Sequence, residues 1–292
     1  MRLLIAGNSG QVAQSLAELS SKECHITCLG RPELDLLKPE TLQPAIDRTS
    51  PDVIINAAAY TSVDHAESDE AAAFAVNCDG ARALAKAASS NNLPLIHIST
   101  DYVYDGRSDS PYKENDPVAP TSVYGRSKLA GEKEVRSGQP HSIIVRTAWI
   151  VSPFGKNFCE TMLRLAGEHP KLRVVSDQIG SPTYAPHLAT GLIELAIAIN
   201  DQRSEVDWGV YHLANGGEAS WYDVAIQTML HAEQCGLASA PVEAIKTAEF
   251  PTAAQRPPNS RLNCLKAEEK FGIVLADWRS GIKACVERLA QQ

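Results

Sequence analysis

The chain has 292 residues, of which 44% are hydrophobic and 21% are charged, as in an ordinary soluble globular protein. This length is sufficient for one large domain, or for two smaller ones that each have a core. The net charge of −8 argues against nucleic acid or an anionic membrane surface as the main partner.

The seven cysteines are scattered, and none has the C-x-x-C spacing of a zinc or redox site. We therefore expect free thiols in a reducing compartment and no metal site. The apolar start is interrupted at Gly7, too early for a signal peptide. No later apolar stretch is both long and uncharged enough to span a membrane, so we predict a cytoplasmic protein.

The first predicted elements are a strand at residues 3–6, a glycine-containing turn and a helix. In the turn, Gly7 and Gly10 would let the backbone bend tightly and approach a pyrophosphate. The helix that follows would supply free N–H groups and a positive dipole end. The spacing is G-x-x-G-x-x-A rather than G-x-G-x-x-G, so a plain strand-to-helix turn is an equally good interpretation.

A second strand is predicted at residues 25–29 and ends at Gly30-Arg31. A chain that binds NAD would be expected to place an acid near this point to bind the ribose 2′-OH. Arg31 instead offers a cation that could pair with a 2′-phosphate, which favours NADPH over NADH. The alternative is a solvated arginine before Pro32.

Two more strands are predicted at residues 51–56 and 94–98, with a helix between them. Strands that alternate with helices at this spacing predict an α/β fold with a doubly wound, Rossmann-like parallel sheet. Ligands bind beyond the carboxyl ends of the strands in such sheets. Thr100 would lie there, although a hydroxyl that only shapes a turn is the alternative.

A long loop at residues 105–121 leads to Tyr124-Gly-Arg-Ser-Lys128. On a helix, residues four apart share a face. A phenol acts as a proton donor near neutral pH if its pKa falls from about 10, and an ammonium at about 4 Å would contribute roughly 4 kcal/mol, or about three pKa units. We therefore interpret Tyr124 as a general acid whose pKa Lys128 lowers. Because an isolated Y-x-x-x-K is common by chance, an ordinary exposed pair is the alternative.

These motifs together resemble the extended short-chain dehydrogenase/reductase superfamily. Longer blocks resemble, more narrowly, the dTDP-4-dehydrorhamnose reductase family, and they extend over almost the whole chain. The blocks are residues 56–64, 99–106, 157–166, 177–183, 220–223 and 256–262.

The resemblance implies reduction of the C4 ketone of dTDP-4-dehydro-β-L-rhamnose to dTDP-β-L-rhamnose, a sugar donor for cell-surface polysaccharide. It implies that Tyr124 protonates the developing alkoxide, that Lys128 binds the nicotinamide ribose and that Thr100 hydrogen-bonds the reacting oxygen. The implied cofactor contacts are Gly10, Gln11 and Val12 at the pyrophosphate, Asp35 and Leu36 at the adenine, and Ala59, Tyr60 and Thr61 in the cleft. The implied substrate contacts are Thr100, Asp101 and Trp149.

Two positions depart from related enzymes. Sugar-nucleotide 4,6-dehydratases need an Asp-Glu pair after the threonine, whereas Asp101 is followed by Tyr102 here, which favours simple reduction. Some family members bridge a dimer through magnesium with an acidic side chain on the first helix. The matching position is Ser15, so a Mg²⁺-bridged dimer is doubtful, and we expect a monomer or a homodimer.

We predict that residues 1–150 form the NAD(P)-binding domain and that residues 151–292 are mainly a smaller C-terminal substrate-binding lobe. A helix at residues 188–199 is expected to return to the sheet. Arg256 and Arg261 flank a rigid proline-containing turn and could present a guanidinium to the substrate diphosphate, with solvated surface arginines as the alternative.

Two other functions remain open at this point. The same fold and many of the motifs occur in the regulatory subunit of methionine adenosyltransferase, although a chain that only binds has no need of Tyr124, Lys128 and Thr100 together. A nucleotide-sugar epimerase is the third possibility, and such an enzyme would retain its cofactor throughout the cycle.

Overall fold

The computed structural model describes residues 1–292 and contains twelve strands and eleven α-helices. The strands are β1 (Arg2–Ala6), β2 (His25–Leu29), β3 (Val53–Asn56), β4 (Leu95–Thr100), β5 (Ser142–Thr147), β6 (Ile150–Val151), β7 (Leu172–Val175), β8 (Ile179–Gly180), β9 (Thr183–Tyr184), β10 (Gly209–His212), β11 (Ala219–Ser220) and β12 (Val242–Ile245). The helices are α1 (Gln11–Ala17), α2 (Leu42–Thr49), α3 (Val63–Ala66), α4 (Glu70–Phe74), α5 (Ala81–Ser90), α6 (Val123–Gly138), α7 (Phe158–Glu168), α8 (Ala185–Asp201), α9 (Trp221–Gln234), α10 (Leu265–Phe271) and α11 (Trp278–Leu289).

Six parallel strands form the central sheet in the order β10-β5-β4-β3-β1-β2. The chain moves outward from β1 to β2 and then returns to the other side of β1 to form β3. The order of the strands therefore reverses between β1 and β3, which is where ligands bind in doubly wound sheets. The predicted α/β class and parallel sheet are confirmed.

Both faces of the sheet are covered by helices, which explains the continuously apolar strands. Alternate residues of β1 enter two separate cores: Leu3 and Ile5 pack with α1 and α8, whereas Leu4 and Ala6 pack with α2 and α5. All four residues of β3 are buried. This sheet places the carboxyl ends of β1, β3, β4 and β5 along one edge.

The C-terminal half contributes to the sheet as well as to a separate lobe. Helix α8 packs on the sheet through Leu188 and Leu192, and α10 joins the same core through Ala267. Strand β10, which was not predicted, pairs with β5 and completes the sheet. Helices α7, α9 and α11 build the remaining lobe around Trp278 and Val224. No helix combines the length and apolar character needed to cross a membrane.

Candidate active site

A cavity of about 570 Å³ opens at the carboxyl ends of β1, β3, β4 and β5. Many of the side chains predicted from sequence lie in its wall. These are Gly10, Gln11, Val12, Ala59, Thr61, Thr100, Asp101, Tyr124, Lys128 and Trp149. The placement of the predicted residues in one cleft follows from their positions at strand ends, because the ends of parallel strands meet at the same edge.

The glycine turn forms the part of the cleft nearest β1. Gly7 has φ +115°, a left-handed conformation that favours glycine, and its N–H donates to Leu29 O at 2.7 Å. A Cβ on Gly10 would meet no atom within 4 Å, so the backbone there is open to the cleft. Gln11, the first residue of α1, is held by Ser152, whose Oγ donates to Gln11 Oε1 at 2.8 Å.

A helical turn of the π type at Ala75–Gly80 joins α4 to α5 and fixes another part of the wall. Asn77 lies in this turn and holds the backbone of Tyr60 at both ends: Tyr60 N donates to Asn77 Oδ1 at 2.8 Å, and Asn77 Nδ2 donates to Tyr60 O at 3.0 Å. The same amide donates to Ser127 Oγ on α6 at 3.0 Å. The π turn therefore links the part of the wall formed by Ala59 and Thr61 to the helix that carries Tyr124.

Helix α6 begins after Ser122, whose Oγ accepts a hydrogen bond from Gly125 N at 3.1 Å. Tyr124 and Lys128 then lie on the buried face of the helix, as the four-residue spacing predicts. Lys128 Nζ donates to Ile98 O at 2.7 Å. Burial lowers the pKa of Lys128 to about 8, although the negative charge of Glu132 partly opposes this effect.

The pKa of Tyr124 moves in the direction opposite to the one we expected. Burial raises it to about 12, a hydrogen bond with Thr100 opposes the rise, and the charge of Asp101 adds to it. The expectation that Lys128 brings the pKa of Tyr124 near neutrality is therefore wrong for the protein alone. The cost of burying a phenolate outweighs any attraction to the ammonium, which donates to Ile98 O.

Thr100 and Asp101 form the floor of the cleft beside Tyr124. Thr100 Oγ1 donates to Asp101 Oδ1 at 3.0 Å and accepts a hydrogen bond from Tyr102 N at 3.2 Å. Burial raises the pKa of Asp101 to about 6. Asp101 Oδ2 and Thr147 Oγ1 are buried in the cleft wall without a hydrogen-bond partner. Both atoms are almost fully shielded from solvent, and the Ser260 hydroxyl, which partly opposes the rise in the pKa of Asp101, lies near that carboxylate.

Trp149 faces the cleft in a strained backbone conformation, with φ +47°. Its ring stacks on Trp221 with the centroids 3.7 Å apart, and a side chain at Gly180 would overlap the Trp149 indole. Trp221 is the first residue of α9, where Ser220 and Asp223 form a capping box. Sequence analysis missed the role of Trp221, because only the tertiary fold brings it against Trp149.

Lys156 was also missed. It lies in the cleft wall on the exposed segment after β6, next to Gly155, which has φ +61°. Its ammonium takes part in none of the ion pairs of the molecule. Lys128 is the other cation in the wall, and it is buried. Lys156 is thus the exposed cation of the cleft.

The two arginines predicted to bind a diphosphate lie outside the cleft wall. Arg256 pairs with Asp64 at 2.7 Å, and Arg261 pairs with Glu218 at 2.9 Å. Asn259, which lies between them, donates to the carbonyl oxygens of the loop that precedes α6. In the structure this turn connects that loop to the C-terminal lobe, so both guanidinium groups have partners within the protein.

Five predicted cofactor residues are not among those that line the cavity: Gly7, Arg31, Asp35, Leu36 and Tyr60. Asp35 is buried, and its Oδ1 accepts a hydrogen bond from Leu37 N at 3.0 Å. Leu36 instead lines a second groove, next to α5. Arg31 is exposed beyond the end of β2. Contacts from Arg31, Asp35 and Leu36 to an adenine or its ribose stay predictions.

The cleft residues fit a dinucleotide. The open backbone at Gly10 and the N–H groups at the start of α1 suit a pyrophosphate, and the small side chains of Ala57 and Ala59 leave space along the wall. No group of three or more His, Cys, Asp or Glu side chains is arranged to hold a metal ion. Ser15 is buried and donates to Gln11 O at 2.8 Å.

Comparison with known proteins agrees with this geometry. A family model described as the RmlD substrate binding domain matches residues 1–291. A protein of Sinorhizobium fredii named dTDP-4-dehydrorhamnose reductase is 43% identical over 98% of this chain and 97% of its own length.

Solved structures of dTDP-4-dehydrorhamnose reductases match equally broadly. That from Clostridium acetobutylicum has a TM-score of 0.90 and 33% identity, covering 100% of both chains. That from Bacillus anthracis, in complex with NADP, has a TM-score of 0.89 and 34% identity, covering 97% of this chain and 98% of the other. The fold, the placement of Tyr124, Lys128 and Thr100 in one cleft, and these full-length matches lead to one conclusion: this chain belongs to the dTDP-4-dehydrorhamnose reductase family.

Proposed function

We propose that this protein uses NADPH to reduce the C4 ketone of dTDP-4-dehydro-β-L-rhamnose to dTDP-β-L-rhamnose. The observation that carries the proposal is the pair of buried hydroxyl groups, on Tyr124 and Thr100, at the carboxyl edge of the sheet next to Lys128. Membership of the reductase family supports the identity of the substrate. When bound, NADPH supplies the hydride that reduces the ketone.

Tyr124 is the proton donor in this proposal, and its raised pKa keeps the proton in place until the alkoxide forms. With a pKa of about 12, the phenol is protonated throughout the neutral range. The alkoxide that forms at C4 is a stronger base than a phenolate, so the transfer of the Tyr124 proton is still favourable. Thr100, whose hydroxyl donates to Asp101 in the free protein, would turn that hydrogen to the same oxygen and stabilise the charge that develops there.

Lys128 has two roles in the proposal. Its ammonium binds the nicotinamide ribose, and it stabilises the Tyr124 phenolate once the proton has left. Asp101 and Trp149 contact the sugar nucleotide. Because Tyr102 occupies the position where a 4,6-dehydratase needs glutamate, the cleft lacks the acid–base pair of a dehydration.

Arg31 is proposed to contact the 2′-phosphate of NADPH, supported by its exposed position beyond β2. Asp35 and Leu36 are proposed at the adenine. We place the protein in the cytoplasm, where dTDP-sugars are made, and propose that it acts as a monomer or homodimer. Ser15 at the position of the metal-binding acid argues against a magnesium-bridged dimer.

The test follows oxidation of NADPH at 340 nm with dTDP-4-dehydro-β-L-rhamnose, for the wild type and Tyr124→Phe. We expect turnover by the wild type and a loss of at least about 100-fold in the variant, the range of general acid catalysis. Tyr222→Phe, on α9 outside the cleft wall, is the matched control. A fully active Tyr124→Phe enzyme would exclude Tyr124 as the acid. No turnover by a wild type that still binds NADPH would favour a regulatory, binding-only protein.

A further inference from the structure

A buried ion pair lies behind the catalytic residues. Glu132, on α6, and Arg146, on β5, have side chains that are 4% and 5% exposed. Their contact is bidentate: Arg146 Nη2 donates to Glu132 Oε2 at 2.7 Å, and Arg146 Nε donates to Glu132 Oε1 at 2.9 Å. Neither residue lines the cleft, so the reaction as described so far gives them no role.

The carboxylate of Glu132 also holds the end of β4. Ser99 Oγ donates to Glu132 Oε1 at 2.5 Å, a short charge-assisted hydrogen bond. Ser99 directly precedes Thr100, and both residues border the cleft. The position of the Thr100 hydroxyl therefore depends on a bond made by its neighbour on the opposite face of the strand.

Beyond Arg146, the network continues towards the C-terminal lobe. Arg146 Nη1 donates to Tyr104 Oη at 2.7 Å, and that hydroxyl lies 2.8 Å from His212 Nε2 on β10. His212 Nδ1 lies 3.0 Å from Asn263 O. The five side chains that form this hydrogen-bonded network are all buried: Ser99, Glu132, Arg146, Tyr104 and His212. A buried polar network with this many satisfied groups is rigid.

Glu132 is also four residues from Lys128 on the same helix, so the two side chains lie on one face. The charge of Glu132 raises the pKa of Lys128 against the effect of burial. The Arg146 guanidinium, on β5, offsets part of the Glu132 charge, and two further titratable groups near Lys128 are Tyr124, one turn earlier on α6, and His97 on β4. Both are neutral at pH 7, because burial raises the pKa of Tyr124 and holds the pKa of His97 well below its usual range.

We propose that Glu132 is a positioning residue of this reductase: its carboxylate holds the Ser99-Thr100 end of β4 and serves as the buried counter-charge for the Lys128 ammonium. This inference rests on the proposed function for its link to turnover. Its link to cofactor binding is independent of the sugar substrate, because the Lys128 ammonium is expected to contact the nicotinamide ribose.

The test compares Glu132→Gln with the wild type in two measurements. The first is NADPH affinity from nicotinamide fluorescence, measured between pH 6 and 10. The second is kcat and KM with dTDP-4-dehydro-β-L-rhamnose. Glutamine keeps the shape of the side chain but removes its charge, so the Lys128 ammonium should lose its proton at a lower pH. NADPH affinity should decrease at alkaline pH as Lys128 loses its proton. We expect the pH at the midpoint of this decrease to be about one unit lower in Glu132→Gln, a tenfold change in the proton equilibrium. We also expect kcat to fall at least about tenfold.

Two further variants separate a functional role from a structural one. Glu134→Gln, at a half-exposed position of the same helix near Arg82, should leave the midpoint and kcat unchanged. Because Glu132→Gln leaves the Arg146 guanidinium buried without its partner, the double variant Glu132→Gln/Arg146→Met is measured as well. We expect the lower midpoint in the single variant Glu132→Gln and in this double variant.

An unchanged midpoint in the folded Glu132→Gln protein or in the folded double variant would overturn the inference, even if turnover decreased. Ser99→Ala should lower kcat and leave the midpoint in place, because it removes the bond to β4 but keeps the charge. If the wild type fails to reduce the dTDP-sugar, the proposed function fails. The NADPH titration still tests Glu132 in that case.

Discussion

Three ionisable side chains in or beside the reacting centre change pKa for one physical reason, which is that burial disfavours a charged form. The pKa of Tyr124 rises to about 12, that of Asp101 rises to about 6, and that of Lys128 falls to about 8. The result is a site with a protonated phenol and a charged ammonium at neutral pH. Asp101, whose pKa lies near 6, is the group most sensitive to pH just below neutrality.

Asp101→Asn should alter how stability depends on pH. In the unfolded chain an aspartate has a pKa of about 3.9. In the folded protein Asp101 has a pKa of about 6. The folded state therefore binds more protons between these values, and the free energy of unfolding falls as the pH rises from about 4 to about 6. Two pKa units correspond to about 3 kcal/mol as an order of magnitude. We expect Asp101→Asn to remove that decrease.

Urea unfolding at several pH values between 4 and 7 measures this effect. Asp47→Asn, an exposed position on α2, is the control and should keep the wild-type dependence on pH. An Asp101→Asn protein that loses stability over the same pH range as the wild type would show that Asp101 does not titrate there.

We propose that Lys156, the exposed cation of the cleft, contacts the substrate diphosphate. Lys156→Gln should then weaken binding of the substrate, because a charge-assisted bond to phosphate contributes about 1.5–3 kcal/mol. We expect KM for the dTDP-sugar to rise at least about tenfold, with kcat and the Kd for NADPH close to wild type. Lys22→Gln, exposed and outside the cleft wall, is the control. A change in the Kd for NADPH alone would assign Lys156 to the cofactor diphosphate instead.

At the scale of elements, α6 determines the geometry of the site. Its buried face carries Tyr124 and Lys128, and two glycines allow it to approach its neighbours closely. A side chain at Gly125 would overlap the Tyr102 carbonyl, and one at Gly131 would overlap the Asn77 carbonyl of the π turn. Backbone atoms cannot move aside as a flexible side chain can, so the helix is held at a fixed distance.

Gly131→Ala should therefore destabilise the protein, although alanine is the better helix former. Overpacking of this kind costs about 1–3 kcal/mol, more than the gain of about 1 kcal/mol in helix propensity. Gly138→Ala, at the end of the same helix, would place its Cβ 3.4 Å from Ala85 Cβ and is the matched control. Thermal unfolding distinguishes the two variants. Equal Tm values for both variants would show that the protein tolerates a larger distance between α6 and the π turn.

At the scale of the whole molecule, the site depends on contacts between distant parts of the chain. The long loop before α6 is held by the turn at residues 256–262: Asn259 Nδ2 donates to Ser108 O at 2.6 Å and to Ser110 O at 3.1 Å. Tyr112 N donates to Arg261 O at 2.8 Å. These bonds close a loop that leads directly to Tyr124.

Asn259→Ala should release this loop. We expect trypsin to cleave faster at Arg107 or Lys113, because the loop would open more often. Asn91→Ala, a half-buried position just after α5 whose side chain bonds Gln43, serves as the control. Mass spectrometry of the first fragments identifies the site. Wild-type cleavage rates in Asn259→Ala would show that the backbone pairing alone holds the loop.

The sequence by itself determined the alternation of strands and helices in the first half of the chain, the glycine turn, and the candidates Thr100, Tyr124 and Lys128. Those features follow from local patterns, because apolar runs, glycine spacing and helical periodicity involve neighbouring residues. The parallel sheet then brings the strand ends to one edge without further information.

Only the tertiary structure decided the partners and the electrostatics. The direction of the pKa change at Tyr124, the pairing of Glu132 with Arg146, the ion pairs of Arg256 and Arg261, and the stacking of Trp221 on Trp149 depend on burial or on contacts between residues far apart in the chain. Local sequence patterns do not contain information about such contacts. Burial changes the pKa of a group more strongly than a charged neighbour four residues away does.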